Sequence, residues 1–283
     1  MNWRIKILIK LILHHLPIDY YTWSKLGLFK LGAMDQLNYA SKIFKLHAMR
    51  AYPEGIPPGL VFLGMGPGDS IASALLANAY GAKKVYLMDT GSYATRHIDV
   101  YKKIVKGIRE EGLKTIDIEG VNDFYDILKA CNTSYLTNGV SDFESIDDNS
   151  IDFIWSHSVL EHVRKRDFNK TIAECNRILK PSGFMSHNVD LMDHLGGQLN
   201  NLRFSEKMWE NNYFANSGFY TNRLRFNEIE KIIKDADFDI KESEFSRWPE
   251  LPTPKSAMDK SFKILSEDEL LIRCCHYVAI KAH

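Results

Sequence analysis

The sequence predicts an α/β fold: a mostly parallel sheet with helices on both faces. Three observations carry this. Apolar runs at residues 61–63 and 85–88 and strand-like segments at 151–156 and 184–189 alternate with longer stretches of helical periodicity, and such alternation lays helices over a parallel sheet. The first run breaks into Gly64, Gly66 and Gly68 before a helical pattern begins. Glycines are needed there to supply positive φ or to let a ligand lie against the peptide plane, and the N–H groups of the following helix add positive potential. The second run closes on Asp89, about 20 residues beyond the last glycine, where parallel folds set a carboxylate against ribose hydroxyls. A glycine turn alone is common and structural; the turn with the acid points to a nucleoside ligand.

Composition bounds the rest. At 283 residues, 45% apolar and 12% aromatic, the chain can build one substantial core with additional layers. Lysine plus arginine equals aspartate plus glutamate at 36 each, without long blocks of one sign, so no extended nucleic-acid footprint is indicated. Cys131, Cys175, Cys274 and Cys275 show no C-x-x-C spacing and read as reduced thiols of a cytoplasmic protein.

Residues 1–16 form an amphipathic helix, with Lys6, Lys10 and His14 recurring at intervals of four on an otherwise apolar surface. It is too short and too charged to span a membrane, and residues 17–20 offer no small-residue cleavage site. Its apolar side needs a partner. Packing on the body of the protein or on a second subunit of a homo-oligomer is favoured over peripheral contact with an anionic membrane surface. Residues 20–52 are aromatic and helical, with Tyr39, Ile43, Phe44 and His47 on one face before Pro53, Pro57 and Pro58. Met34, Tyr39 and His47 are pocket-lining candidates, although such residues are more often core. Beyond the glycine turn, helices are expected at 71–80, 95–111 and 123–130, a third strand at 134–137 and a fourth at 151–156. Asp167 is a natural N-cap for a helix over 168–179, which Pro181-Ser182-Gly183 ends before the fifth strand at 184–189. A helix at 227–236, a strand at 238–242, a stiff loop at 248–254 and a closing strand at 271–281 complete the chain.

Three motifs carry a resemblance. G-x-G-x-G followed by D-S at 64–70, S-I-D-F-I-W-S-H-S-V-L-E-H-V at 150–163 and N-R-I-L-K-P-S-G-F at 176–184 resemble, in order and separation, the class I S-adenosylmethionine-dependent methyltransferases. The resemblance implies a Rossmann-like, seven-stranded, mostly parallel sheet with the last strand antiparallel. It also implies N-terminal helices over residues 1–54, acting as cap or interface, a methyltransferase domain over 55–283 and an acceptor-side insertion at about 190–226. S-adenosyl-L-methionine would lie over Gly64, Met65, Gly66 and Gly68, with Asp89 and its neighbour Thr90 at the ribose and Val140, Ser141, His157 and Ser158 bordering the ligand. The family often has Gly-Asp-Ala before its fourth strand; here the stretch is G-V-S-D-F at 139–143, so the acid that meets adenine is displaced to Asp142, which otherwise reads as a solvated turn residue. Glu161 and His162 match a pair common in the family, and a histidine there more often ties down the loop than moves a proton.

The most informative polar cluster is H-N-V-D-L-M-D-H at 187–194, at the carboxyl end of the fifth strand. Methyl transfer to oxygen needs a nearby base and an acceptor held in line, and His194 or His187 as base with Asp190 or Asp193 orienting it meets that need. A structural turn and a divalent-cation site are the alternatives; no residue is assigned to a metal, because a full set of oxygen ligands is lacking. Arg203, Arg223 and Arg225 are candidates to grip a phosphate or carboxylate on the acceptor, or else structural cations. The segments 28–35, 187–194 and 202–226 resemble a methyltransferase subgroup associated with cell-surface polysaccharide or natural-product glycans, which implies a sugar or sugar-containing small-molecule acceptor. A nicotinamide-dependent oxidoreductase would share the fold but usually reads G-x-G-x-x-G, and a cofactor-binding partner without catalysis would keep residues 64–89.

Overall fold

The computed structural model describes residues 3–14 and 32–282. The chain runs through α1 (Trp3–His14), α2 (Leu37–Ala51), β1 (Val61–Met65), α3 (Ala72–Ala79) and β2 (Lys84–Met88). Then come α4 (Ile98–Glu110), α5 (Phe124–Ala130), β3 (Thr133–Leu136), β4 (Ile151–His157), α6 (Lys165–Ile178) and β5 (Leu179–Asp190). The short helices α7 (Glu206–Trp209) and α8 (Asn212–Ala215) precede α9 (Phe226–Asp235) and β6 (Phe238–Arg247). The last elements are α10 (Lys260–Lys263), α11 (Glu267–Leu270) and β7 (Ile272–Lys281). Residues 20–31 of the expected N-terminal helical segment lie outside the described residues.

The seven strands form one sheet in the order β3-β2-β1-β4-β5-β7-β6. β1 pairs in parallel with β2 and β4, and β2 with β3, while β7 runs antiparallel to β5 and β6. The seven-stranded, Rossmann-like expectation is therefore met. The order reverses between β1 and β4, and sheets of this kind hold ligands outside the carboxyl ends of the strands at such a switch.

The chain divides into two compact units. The β1 unit comprises residues 19–157, 174–187 and 278–283. Its core is built by Phe62, Val85, Leu87, Phe153 and Trp155 from the strands, by the buried run Ala72 to Ala77 of α3 and by Phe44 and Ala48 of α2. α4 buries Tyr101, Ile104, Val105 and Ile108, the i, i+3, i+4, i+7 stripe of an amphipathic helix. Trp155 stacks on Phe153 at 5.7 Å. A Cβ at Gly64 would meet Trp155 Cζ2 at 2.7 Å, so this glycine makes room for the indole rather than for a turn.

The β6 unit comprises residues 1–18, 158–173 and 188–277. Trp209, fully buried, gathers Phe214, Phe219 and Tyr220, and Trp3, Ile7 and Leu11 of α1 pack on the same cluster. That stripe of α1 is thus covered by its own unit, while Ile5 (51%), Leu8 (60%) and Ile9 (40%) remain exposed. No described helix is long and apolar enough to cross a membrane.

Boundaries shift in two places. α6 starts at Lys165, so Asp167 is not its N-cap. It lies in the first turn, donating its own backbone N–H to Arg164 O at 2.8 Å, and its carboxylate still favours the positive helix end. The Pro181-Ser182-Gly183 turn does not separate helix from strand: β5 begins at Leu179, and Ser182 carries the kink within the strand at φ 62°.

Candidate functional site

In the β1 unit the glycine turn leaves β1 at Met65, and Gly66 (φ 67°) and Gly68 (φ 69°) adopt left-handed backbone, which costs other residues about 1–2 kcal/mol. Gly66 N donates to Met88 O at 2.8 Å, fixing the turn against the end of β2. The Asp89 carboxylate accepts from Gly68 N at 3.3 Å and from Thr90 N at 2.8 Å. Burial pushes its pKa up to about 6, against the lowering effect of those hydrogen bonds. The result is a partly desolvated carboxylate beside a turn that carries no side chain at Gly66 or Gly68. Asp69 Oδ1 accepts from Met34 N at 3.0 Å, which ties the segment before α2 to this turn.

Gly139 N donates to Asp89 O at 2.8 Å, so the 3₁₀ helix Gly139–Ser145 is anchored at the end of β2. Val140 is 37% exposed, and Ser141 Oγ donates to Asn138 O at 2.7 Å. Asp142 accepts from Asn138 N at 2.7 Å and Nδ2 at 2.9 Å, which makes it the organiser of this turn. His157, at the end of β4, places Nδ1 3.2 Å from His47 Nε2, and His47 Nδ1 lies 2.8 Å from Ser186 Oγ. Burial, assisted by the charge of Lys42, lowers the His157 pKa. His187 is fully buried and bonded through Nδ1 to Ser156 Oγ at 2.7 Å, a poor position from which to meet an incoming acceptor.

The remaining predicted residues belong to the β6 unit. Ser158 is exposed, with φ 54°. Asp190 Oδ1 accepts from Met192 N at 2.8 Å, and its Oδ2 lies 3.9 Å from His194 Nε2. Burial raises the Asp190 pKa and lowers that of His194, the latter with help from Lys10. Asp193 is 2% exposed and closes the loop: Oδ1 accepts from Leu195 N and Gly196 N, Oδ2 from Asn200 N and Asn200 Nδ2, all within 3.0 Å. Its position is that of a loop clamp.

The three arginines differ. Arg225 is buried and donates to Leu191 O at 2.8 Å and to the carbonyls of Glu269, Leu270 and Ile272. Burial brings its pKa down to about 10, still charged at neutral pH. Arg223, also buried, donates to Asn201 O, to Phe204 O and, at 2.7 Å, to Glu206. Arg203 is partly exposed, with Nε on Asn200 Oδ1 at 3.0 Å and its guanidinium 5.3 Å from the Trp3 ring.

The structure also brings His194, a candidate base, together with two residues that the sequence reading gave no chemical role. Glu161, His162 and His194 bring one carboxylate oxygen and two ring nitrogens to within 4.8 Å of one another. The signal was present as the Glu161-His162 pair after a strand and the lone His194 after the next, but their meeting is tertiary. His47, expected only as a pocket-lining candidate, is the hub of the His157 and Ser186 contacts. Two concavities, of about 460 and 510 Å³, include no glycine-turn residue.

Residues 63–186 match a family model described as a methyltransferase domain. No curated protein matches the sequence. Among solved structures, an S-adenosylmethionine-dependent methyltransferase from Methanosarcina mazei is 16% identical, with a TM-score of 0.48 over 81% of this chain and 96% of that one. One from Mesorhizobium loti is 14% identical, with a TM-score of 0.44 over 84% and 100%. The Haemonchus contortus phosphoethanolamine N-methyltransferase 2, in complex with phosphomonomethylethanolamine and S-adenosylhomocysteine, is 16% identical with a TM-score of 0.48. That alignment covers 86% of this chain but only 53% of the enzyme.

Proposed function

We propose that this chain, whose residues 63–186 match the model of a methyltransferase domain, acts as a class I S-adenosylmethionine-dependent methyltransferase and transfers a methyl group from S-adenosylmethionine to a hydroxyl of a sugar or sugar-containing small molecule. The observation that supports this most is the pairing of two left-handed glycines with the Asp89 carboxylate, 3.3 Å from Gly68 N. Side-chain-free peptide planes suit the methionine part of the ligand, and a desolvated carboxylate suits a pair of ribose hydroxyls, which it accepts as charge-assisted hydrogen bonds. When bound, the cofactor supplies an electrophilic methyl group on a sulfonium.

The chain's own contribution is to hold, orient and deprotonate. Val140 and Ser141 border the adenine, and His157 closes the same side. Within the β6 unit, Asp190 at the end of β5 and His194 beyond it are the acid and imidazole available to accept a proton from a hydroxyl. Burial raises the basicity of Asp190 and keeps His194 neutral, which readies both to accept a proton. Of the three arginines, Arg203 is assigned to an acidic group on the acceptor, because Arg223 and Arg225 are committed to backbone carbonyls.

Calorimetric titration with S-adenosylmethionine, S-adenosylhomocysteine and NAD tests the reading. The first two bind the wild-type protein, and Asp89→Ala abolishes both. Binding of NAD alone would overturn it in favour of an oxidoreductase.

A further inference from the structure

We infer that the β6 unit holds a divalent transition-metal site of the zinc type, ligated by Glu161, His162 and His194, the last of which it shares with the proton-accepting pair proposed above. The three donor atoms lie within 4.8 Å of one another. Bound at ~2.0–2.2 Å from a common ion they would be roughly 3.4 Å apart, a gap that side-chain rotation closes.

Glu161 is the observation that asks for a ligand. It is 2% exposed, and neither carboxylate oxygen has a hydrogen-bond partner of ordinary distance and angle among the described residues; the backbone N–H groups of Glu161 and Asp190 are its nearest donors. Buried carboxylates are ordinarily paired or bound to metal. The turn that carries it is built to stay in place. Asn222, itself buried, donates N to Glu161 O at 2.7 Å and Nδ2 to Leu160 O at 2.8 Å and Val163 O at 3.0 Å.

The histidines are prepared in the same way. His162 Nδ1 lies 3.0 Å from Tyr220 O. A carbonyl only accepts, so Nδ1 carries the proton and Nε2 is left as a lone pair, the outer-shell arrangement that orients metal-binding imidazoles. His194 stands edge-on, its ring centroid 4.6 Å from that of His162. His162 is exposed, so the site can be reached from solvent. Two nitrogens and one carboxylate suit zinc or a similar borderline ion rather than calcium or magnesium, which take oxygen donors. Asp190 adds a second negative charge near His194; Lys10, which donates to His194 O at 3.3 Å, opposes it. With the ion bound, His194 serves as ligand and proton acceptance falls to Asp190.

The test uses the full chain stripped of metal with a chelator, titrated with Zn²⁺ against a chromophoric competitor and with Co²⁺ followed by its visible absorption. One equivalent is expected, with loss of more than about 100-fold in affinity and of the Co²⁺ bands in His194→Ala and His162→Ala. Since outer-shell changes alone cost ~10–100-fold, Glu161→Gln, which preserves shape and whose fold is checked by near-ultraviolet circular dichroism, should lose at least 10-fold. Failure of the wild type to bind micromolar Zn²⁺, or wild-type affinity in all three variants, overturns the site. The measurement needs neither S-adenosylmethionine nor turnover, so a protein that binds zinc but not the cofactor would refute the methyl-transfer reading alone.

Discussion

Replacing Asp89 by asparagine should make the unliganded protein more stable while weakening its ligand binding. Burial lifts the Asp89 pKa from 3.8 to about 6, roughly two units, and at 1.36 kcal/mol per unit the ionised carboxylate costs the folded state about 3 kcal/mol at pH 7.5. The sign follows from proton binding. A carboxyl whose pKa is raised on folding holds its proton more tightly in the native state, so stability falls as pH climbs from about 4 to 6 and is level above. Asparagine removes the charge and keeps one acceptor oxygen, losing one of the two contacts to Gly68 N and Thr90 N, about 1 kcal/mol. The net gain is about 2 kcal/mol at pH 7.5, turning to a loss of about 1 kcal/mol near pH 4, where the wild-type carboxyl is already neutral. Urea unfolding at both pH values, followed by fluorescence and circular dichroism, measures it. S-adenosylmethionine affinity should drop roughly 10- to 100-fold with the loss of charge-assisted ribose bonds, ~1.5–3 kcal/mol. A variant no more stable than wild type at pH 7.5, or a gain that persists undiminished to pH 4, refutes the buried-charge account.

Three further outcomes are expected. Gly66→Ala, forced to φ 67°, should destabilise by about 1–2 kcal/mol and weaken cofactor binding by calorimetry, since relief of that strain shifts the turn. Asp193→Ala strips four N–H groups of their acceptor and should cost at least about 2 kcal/mol in denaturant midpoint, with cofactor affinity unchanged. Arg225→Met should cost about 3 kcal/mol or more, because it leaves buried carbonyls without a donor, whereas Arg203→Ala should stay within about 1 kcal/mol. An equal effect from both arginines would sink the division drawn between them.

Much of the β1 unit was legible from the chain alone because its signals are local. A glycine turn, an acid closing the second strand and an apolar run before His157 each carry their meaning within a few residues. The β6 unit was harder. Asp193 and Arg225 have the composition of a catalytic acid and an anion grip, and only the direction of nearby backbone N–H and carbonyl groups reveals them as clamps. Likewise Asp167 looks like a cap until Arg164 O is seen to accept its N–H. The meeting of Glu161 with His194 depends on how two loops return to each other, and no spacing in the sequence encodes that distance.

The short α1 helix has a practical bearing on how the protein is handled. Its Trp3, Ile7 and Leu11 side chains finish the aromatic cluster around Trp209, and its Lys10 ammonium is tied to the backbone of His194 and Gly218. A preparation clipped by a protease within its first dozen residues would lose both at once. Such material would expose fresh aromatic surface, tend to self-associate on storage, and slacken the loop that bears His194. Intact mass should therefore be verified before any assay, since a degraded batch would be mistaken for an inert protein.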